Sequence, residues 1–166
     1  MRLAITTDRL DLAALREEHA EAMFPVLADA ELYDYTGGRP PTSVSALRKR
    51  YAVQETLRSP DGNEIWLNWV ITVRSSDDVI GYVQATIREE FAEVAWVVGT
   101  DWQGHGYATE AARGMLEWLN RVGIRRIRAN IHSGHEASRH VAMKAGFRQT
   151  NELHLGEQIW EHSRSG

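Results

Sequence analysis

The fold of this chain is decided by one stretch, Val97-Val98-Gly99-Thr100-Asp101-Trp102-Gln103-Gly104-His105-Gly106-Tyr107-Ala108-Thr109. An apolar strand ends at its start, a short turn follows, and two glycines stand where a helix begins. Glycine lets the backbone approach a ligand closely, and the N–H groups of a first helical turn attract an anion. The stretch therefore predicts a phosphate or pyrophosphate site built from backbone groups. A surface turn before a helix is the alternative.

Two common nucleotide-binding motifs do not fit this stretch. A P-loop needs Gly-Lys followed by Ser or Thr, and the stretch contains no lysine. A dinucleotide-binding fold has a third glycine early in a βαβαβ unit. Here Thr109 occupies that place, and only residues 110–166 follow it.

On the N-terminal side of the glycine stretch the sequence is rich in β-branched and aromatic residues. Three such runs are Trp66 to Val73, Val79 to Thr86 and Phe91 to Val98. Short polar segments join them, which predicts hairpins and an antiparallel sheet.

On the C-terminal side the hydrophobic period changes. Apolar residues recur at spacings of 3, 4 and 7 from Tyr107 to Leu119, which predicts a helix. A strand at Arg126 to Ile131 and a second helix at Glu136 to Ala145 follow, and Gly146 stands where a helix C-terminus favours glycine. Gly146 to Leu155 and Gln158 to His162 are weaker candidates for strands.

The N-terminal third predicts one strand and helical segments. Ile5 to Leu15 alternates like a strand, and Glu17 to Ala30 has a helical apolar face. Pro25 lies inside that helical pattern, where we expect it to kink the helix or divide it. Thr42 or Ser43 can cap a further helix. The order of elements indicates a mixed α/β protein, with residues 1–166 as a single domain.

Composition limits the function. The chain has 166 residues, 19 basic and 23 acidic, for a net charge of −4. General nucleic-acid binding is not expected at this charge. Because there is no cysteine, disulfides, thiolate zinc sites, iron–sulfur clusters and cysteine nucleophiles are excluded. We expect a cytoplasmic protein with no membrane partner, since no apolar run approaches the ~20 residues needed to cross a bilayer.

A second stretch, residues 135–147 (His135-Glu136-Ala137-Ser138-Arg139-His140-Val141-Ala142-Met143-Lys144-Ala145-Gly146-Phe147), gives the glycine loop a context. With Gln103 to Ala108, it resembles the GNAT family of N-acetyltransferases. The loop is similar to the family's Arg/Gln-x-x-Gly-x-Gly/Ala acyl-CoA loop, and the second stretch to its Asn-x-Ala-Ser…Lys-x-Gly-Phe helix. Thr7 to Leu12 and Ile80 to Val83 resemble the RimJ/RimL branch, which acetylates ribosomal-protein N-termini.

The resemblance implies an α/β (α+β) GNAT fold: a mixed, mostly antiparallel central sheet, splayed at the acyl-CoA site and flanked by helices. It implies acetyl-CoA as co-substrate and no metal. The pantetheine arm would lie along the last strand residues before the loop, and the pyrophosphate would lie on the loop. The implied cofactor-binding residues are Val97, Val98, Gln103, Gly104, His105, Gly106, Tyr107, Ala108, Thr109, His135 and Ser138.

The same resemblance suggests two catalytic residues. Ser138 matches a serine that protonates the departing thiolate; its alternative role is that of a helix-start serine that binds backbone. Glu93 lies on the strand where relatives place a carboxylate that deprotonates the amine through water; its alternative is an outward-facing polar residue. Trp69 and Trp96 are candidates for the acceptor groove. Asp34 would attract a cationic amine there.

The sequence leaves the acceptor open between a protein N-terminus and a small-molecule amine, because fold and cofactor loop do not specify it. Two departures from the family pattern, His135 in place of Asn and Gln103 in place of the commoner Arg, motivate an alternative: a non-catalytic acyl-CoA binding or sensing module. A second alternative keeps the enzyme and changes the acyl group. A homodimer is compatible with the sequence.

Overall fold

The computed structural model describes residues 2–89 and 91–163. They form an eight-stranded sheet with four α-helices. In chain order the elements are β1 (Ile5–Thr6), β2 (Leu10–Ala14), α1 (Ala20–Leu27), α2 (Val44–Gln54), β3 (Ile65–Val73), β4 (Asp78–Arg88), β5 (Phe91–Val98), α3 (Tyr107–Arg121), β6 (Arg126–Ile131), α4 (Glu136–Lys144), β7 (Arg148–His154) and β8 (Glu157–Ser163). No helix among the described residues is long and apolar enough to cross a membrane.

The strand order is β1-β2-β3-β4-β5-β6-β8-β7, and every neighbouring pair except β5–β6 is antiparallel. This confirms the predicted mixed, mostly antiparallel sheet. Among the longer strands, the parallel pair β5–β6 also has the fewest paired residues. Ala92 opposes Ile127 and Glu93 opposes Arg128, and the ladder ends there. The sheet therefore splits between β5 and β6.

Helices cover the two sheet faces differently. α3 and α4 pack on one face, where Trp69, Val83 and Val94 belong to the larger buried cluster. α1 and α2 pack on the other face against Val70 and its neighbours. Because side chains alternate along a strand, a shift of one residue moves a side chain from one face to the other.

A bulge in β4 shapes the end of β5. Ile71 opposes Gly81 whereas Thr72 opposes Val79, so Ile80 is the extra residue. The Gly99 N–H donates to the Ile80 carbonyl at 2.7 Å. A Cβ on Gly81 would lie 2.0 Å from the Val97 carbonyl oxygen, so glycine is required by this close backbone approach.

The helix ends confirm two local predictions, and α1 excludes one of the two outcomes expected for Pro25. The Ser43 hydroxyl accepts from the Ala46 N–H and caps α2. Gly146 has φ of +95° and ends α4. Pro25, however, lies inside α1 and does not divide it. Its ring removes only the bond to the Glu21 carbonyl, and both residues are exposed, so water can satisfy that carbonyl.

Candidate active site

The site is the gap between β5 and β6. These parallel strands pair at Ala92 and Glu93 and have no ladder beyond, so residues 94–98 of β5 face an open edge. α3 follows the loop after β5, and α4 follows the turn after β6. The N-termini of both helices therefore lie at the wide end of the gap. An exposed strand edge offers backbone hydrogen bonds to an extended, amide-bearing ligand such as a pantetheine arm.

The glycine loop combines two left-handed glycines with the free helix-start N–H groups that the sequence predicted. Gly104 and Gly106 have φ of +81° and +79°, a region that L side chains rarely adopt. No side chain caps α3, and its first intrahelical bond runs from the Glu110 N–H to the Gly106 carbonyl. The N–H groups of residues 107–109 thus have no helical partner, which fits a pyrophosphate.

Gln103 has a different role from a phosphate ligand in this geometry. Its side-chain amide donates to the Val98 carbonyl at 2.9 Å and so fastens the loop to the end of β5. The Val98 side chain is buried in the core. Val98 therefore offers only its backbone to the gap, and Gln103 shapes the loop.

Arg9 braces the glycine loop, a contact that sequence reasoning missed. Its Nη1 donates to the His105 carbonyl at 2.9 Å, and its guanidinium lies 4.5 Å from the Tyr107 ring centroid. Its Nε pairs with Glu110 at 2.7 Å, and the Thr7 hydroxyl also donates to that carboxylate. Burial raises the pKa of Glu110, but the hydrogen bonds from Thr7 and Arg9 outweigh it and lower that pKa overall. In the sequence, residues 7–12 show only their resemblance to the RimJ/RimL branch, and nothing there indicates a contact with the glycine loop.

At the other side of the gap, α4 begins with His135 and Ser138. The Ser138 hydroxyl is half-buried and makes no hydrogen bond to any described residue, so it does not bind backbone. The His135 ring stacks on Tyr35 with centroids 4.8 Å apart and planes at 16°. Burial, and then the nearby His132, lowers the pKa of His135. Its imidazole is therefore held in the neutral form that can donate or accept a hydrogen bond.

Glu93 lies on the face that carries α1 and α2, at the point where β5 and β6 part. Its carboxylate pairs with Arg88 Nη1 at 3.0 Å. Arg88 also pairs with Glu64, which accepts from the Trp66 indole at 2.9 Å. The Trp66 hydrogen bond, followed by that of Arg88, lowers the pKa of Glu64. This chain of contacts fixes the direction of the Glu93 carboxylate.

The acceptor-groove prediction is wrong for both tryptophans. Trp69 and Trp96 share a rung with Val83, on the face that packs against α3, whereas Glu93 points to the opposite face. Trp69 is fully buried and donates to the Leu3 carbonyl. Trp96 packs against Phe147 with ring centroids 5.8 Å apart.

The acidic residues after α1 are divided between structural and exposed positions. Asp29 accepts from the Thr100 hydroxyl at 2.5 Å and from the Glu31 N–H at 3.0 Å. The Thr100 bond is the main cause of the lowered pKa of Asp29. Asp29 thus ties the α1–α2 connection to the turn after β5. Asp34 is exposed and precedes Tyr35, whose ring stacks on His135 at the start of α4.

Fold and site together define an acyltransferase. Residues 9–148 match the Acetyltransferase (GNAT) domain family, and the chain belongs to that family. The chain is 22% identical over 153 residues to an uncharacterized N-acetyltransferase, YoaA, of Bacillus subtilis, a match that covers 90% of this chain and 85% of YoaA.

Two solved structures show the same fold. RimL, a ribosomal L7/L12 α-N-protein acetyltransferase in complex with coenzyme A, superposes with a TM-score of 0.79 at 21% identity, and 97% of each chain is covered. AAC(6′)-Ib, in complex with paromomycin and acetyl-CoA, superposes with a TM-score of 0.76 at 15% identity over 95% of this chain and 94% of that one.

Proposed function

We propose that this chain is an acetyl-CoA-dependent N-acetyltransferase that acts on a primary amine, with residues 1–166 as one domain. The observation that carries the proposal is the gap between β5 and β6, with an open strand edge on one side and two helix N-termini at its wide end. When bound, acetyl-CoA supplies the acetyl group. The residue 107–109 N–H groups would hold its pyrophosphate, and residues 94–98 would pair with its arm.

The chemistry we propose is direct attack by the amine in a ternary complex. The amine nitrogen forms a bond to the acetyl carbonyl carbon, and the carbon–sulfur bond breaks. Glu93 accepts the proton that leaves the amine, through a water molecule. The Ser138 hydroxyl donates a proton to the departing thiolate sulfur and regains one through solvent as Glu93 releases the proton that it accepted. Ser138 is suited to this because its hydroxyl makes no hydrogen bond to any described residue.

We infer that the acceptor is a primary amine from the negative charge of Glu93 and Asp34. Both carboxylates would attract an ammonium group before it loses its proton. RimL acts on a ribosomal-protein N-terminus, and the AAC(6′)-Ib complex holds paromomycin. A protein N-terminus, as in the RimJ/RimL branch, and a small-molecule amine both remain within the proposal.

One observation favours a second candidate, a non-catalytic acyl-CoA sensor. The Glu93 carboxylate is held in an ion pair by Arg88, so one of its oxygens already has a partner other than an acceptor amine. A sensor would bind the cofactor with the same loop and gap and would turn over no amine.

Thermal melting with acetyl-CoA, CoA, NADH and ATP tests the cofactor. A ligand at a hundredfold its Kd adds about 2.7 kcal/mol of stability, a shift of roughly 5–10 °C here. We expect a shift with acetyl-CoA and CoA alone; a larger one with NADH or ATP refutes the cofactor. An amine panel, followed by thiol release, then separates enzyme from sensor. In the enzyme, Ser138→Ala lowers kcat at saturating acetyl-CoA by about 10²-fold, and Glu93→Gln lowers kcat as well.

A further inference from the structure

A polar cavity of about 230 Å³ opens on the same sheet face as Glu93. Its floor consists of two neighbouring rungs of the sheet. Trp66 opposes Thr86, which in turn opposes Glu93; Asn68 opposes Gln84, which opposes Ala95. Adjacent strands are about 4.8 Å apart, so the cavity lies within one strand spacing of the Glu93 position. The lining residues are Gln54, Glu64, Trp66, Leu67, Asn68, Gln84, Ala85 and Thr86.

Several polar side chains of this cavity have no partner within the described part of the chain. Asn68 is only 8% exposed, yet its amide makes no hydrogen bond there. The side chains of Gln54, Gln84 and Thr86 make none either. These polar groups stay open to the cavity, where water satisfies them in the free protein, so a polar group that enters can replace that water and an apolar group cannot.

The charged side chains at the cavity already form ion pairs with one another. Glu64 accepts from Trp66 and pairs with Arg88, and Arg88 pairs with Glu93. What the cavity still offers is a set of neutral donors and acceptors: three carboxamides and one hydroxyl. Such groups can form hydrogen bonds with an uncharged hydroxyl or amide. An apolar group would displace water from them and form no hydrogen bond in its place.

We propose that this cavity selects acceptors that carry an uncharged hydroxyl- or amide-bearing group a few bonds from the reacting amine. The amine lies towards Glu93, and the neutral polar group fills the cavity and hydrogen-bonds Asn68, Gln84 and Thr86. This inference rests on the proposed function for its reaction, but the cavity's preference is a binding property of its own. Two sources share this chemistry: an amino sugar, and the peptide groups of a protein N-terminus.

The experiment compares three primary amines, cyclohexylamine, glucosamine and serinamide, at equal concentrations of the neutral amine, because cyclohexylamine is the strongest base of the three. Thiol release from acetyl-CoA gives kcat/KM for each. In the unmodified protein we expect glucosamine or serinamide to exceed cyclohexylamine by roughly 10-fold or more, since each neutral hydrogen bond lost leaves a buried group unpaired. Whichever polar amine is preferred identifies the source. Equal kcat/KM for all three overturns the proposal.

Variants assign the preference to the cavity. Asn68→Leu keeps the side-chain shape and removes the amide, and we expect it to abolish the preference while the Kd of acetyl-CoA stays within twofold. Thr86→Val makes a smaller change and serves if Asn68→Leu does not fold. Asn151→Leu, at an exposed position on β7, is the matched control and should keep the preference. Retention of the preference in both cavity variants overturns the proposal.

A separate readout distinguishes failure of the cavity from failure of the proposed function. If no amine is acetylated by the unmodified protein, the enzyme proposal is wrong. The melting temperature with and without glucosamine or serinamide still tests the cavity. A shift that Asn68→Leu abolishes supports the cavity as a polar ligand site, and no shift with either amine refutes it.

Discussion

Arg9 provides the sharpest test of how the glycine loop is held. We expect Arg9→Ala to weaken acetyl-CoA binding and to change kcat at saturation little. The substitution removes a charged hydrogen bond to the His105 carbonyl, a half-exposed ion pair to Glu110 and a cation–π contact to Tyr107. At this exposure the hydrogen bond contributes about 1 kcal/mol, and the ion pair and the cation–π contact contribute about 0.5–1 kcal/mol each. The three together contribute roughly 2–3 kcal/mol.

Only part of that energy affects binding. The bond to His105 and the contact to Tyr107 act on the loop itself and account for about 1.5–2 kcal/mol of the total. Without them, cofactor binding must order the loop. Because 1.4 kcal/mol is tenfold in affinity, the Kd of acetyl-CoA should rise by roughly 10- to 30-fold. Isothermal titration calorimetry measures this directly, and urea unfolding reports the accompanying loss of stability.

Two further variants show whether Arg9 acts through geometry. Arg74 donates to the Thr7 and Asp8 carbonyls of the same turn and does not contact the loop, so Arg74→Ala should leave the Kd within about threefold. Glu110→Gln removes the anchor of Arg9 and a negative charge. If only the negative charge mattered, its removal would make that variant bind the phosphates of acetyl-CoA more tightly. If Arg9 holds the loop through Glu110, the variant should bind acetyl-CoA more weakly. Tighter binding in Glu110→Gln, or an unchanged Kd in Arg9→Ala, would refute the brace.

Two other predictions concern stability. Gly81→Ala should destabilise the fold by about 3 kcal/mol or more in urea unfolding, because its Cβ would meet the Val97 carbonyl oxygen; Gly62→Ala, at a positive φ but in open space, should cost only about 1 kcal/mol, and equal losses would contradict the bulge argument. Burial lowers the pKa of His162, so in the unfolded chain this imidazole is protonated at a higher pH than in the folded protein. The free energy of unfolding should therefore fall as the pH falls below about 6.5. His162→Phe should flatten that fall in unfolding at pH 7.5 and 5.5, and an unchanged slope would disprove the assignment; His140→Phe, at an exposed position, is the control.

Local signals in the sequence predicted most of the elements correctly. Alternation and a period of 3.6 mark structure within a few residues, so β5, β6 and α3 were found nearly to their observed ends. The C-terminus of α4 was equally clear, because Gly146 acts on the residues beside it. Two exceptions show the limit. Ile5 to Leu15, predicted as one strand, forms the paired strands β1 and β2. Pro25 does not divide α1, because a missing backbone bond is costly only where water cannot replace it, and exposure is not encoded locally.

The candidate site was predictable where it is made of consecutive residues and not where it is made across the sheet. The glycine loop and the start of α4 are continuous motifs. Trp69 and Trp96 were proposed for the acceptor groove from the strands on which they lie, but alternation gives the period of a strand and not which of its side chains face α3. Asn68 carried no signal at all, since its significance lies in having no partner.

The sequence by itself determined the order of most elements, the glycine loop with its free N–H groups at the start of α3, and membership of an acetyltransferase family. The tertiary structure alone decided where β5 and β6 part, and which side chains face the gap. It also brought Arg9 to Glu110, 101 residues away. Short-range features follow from dihedral preferences and hydrophobic period, which a few residues specify. Contacts over such separations are decided by the packing of the whole sheet, where burial on one face selects the register of every strand.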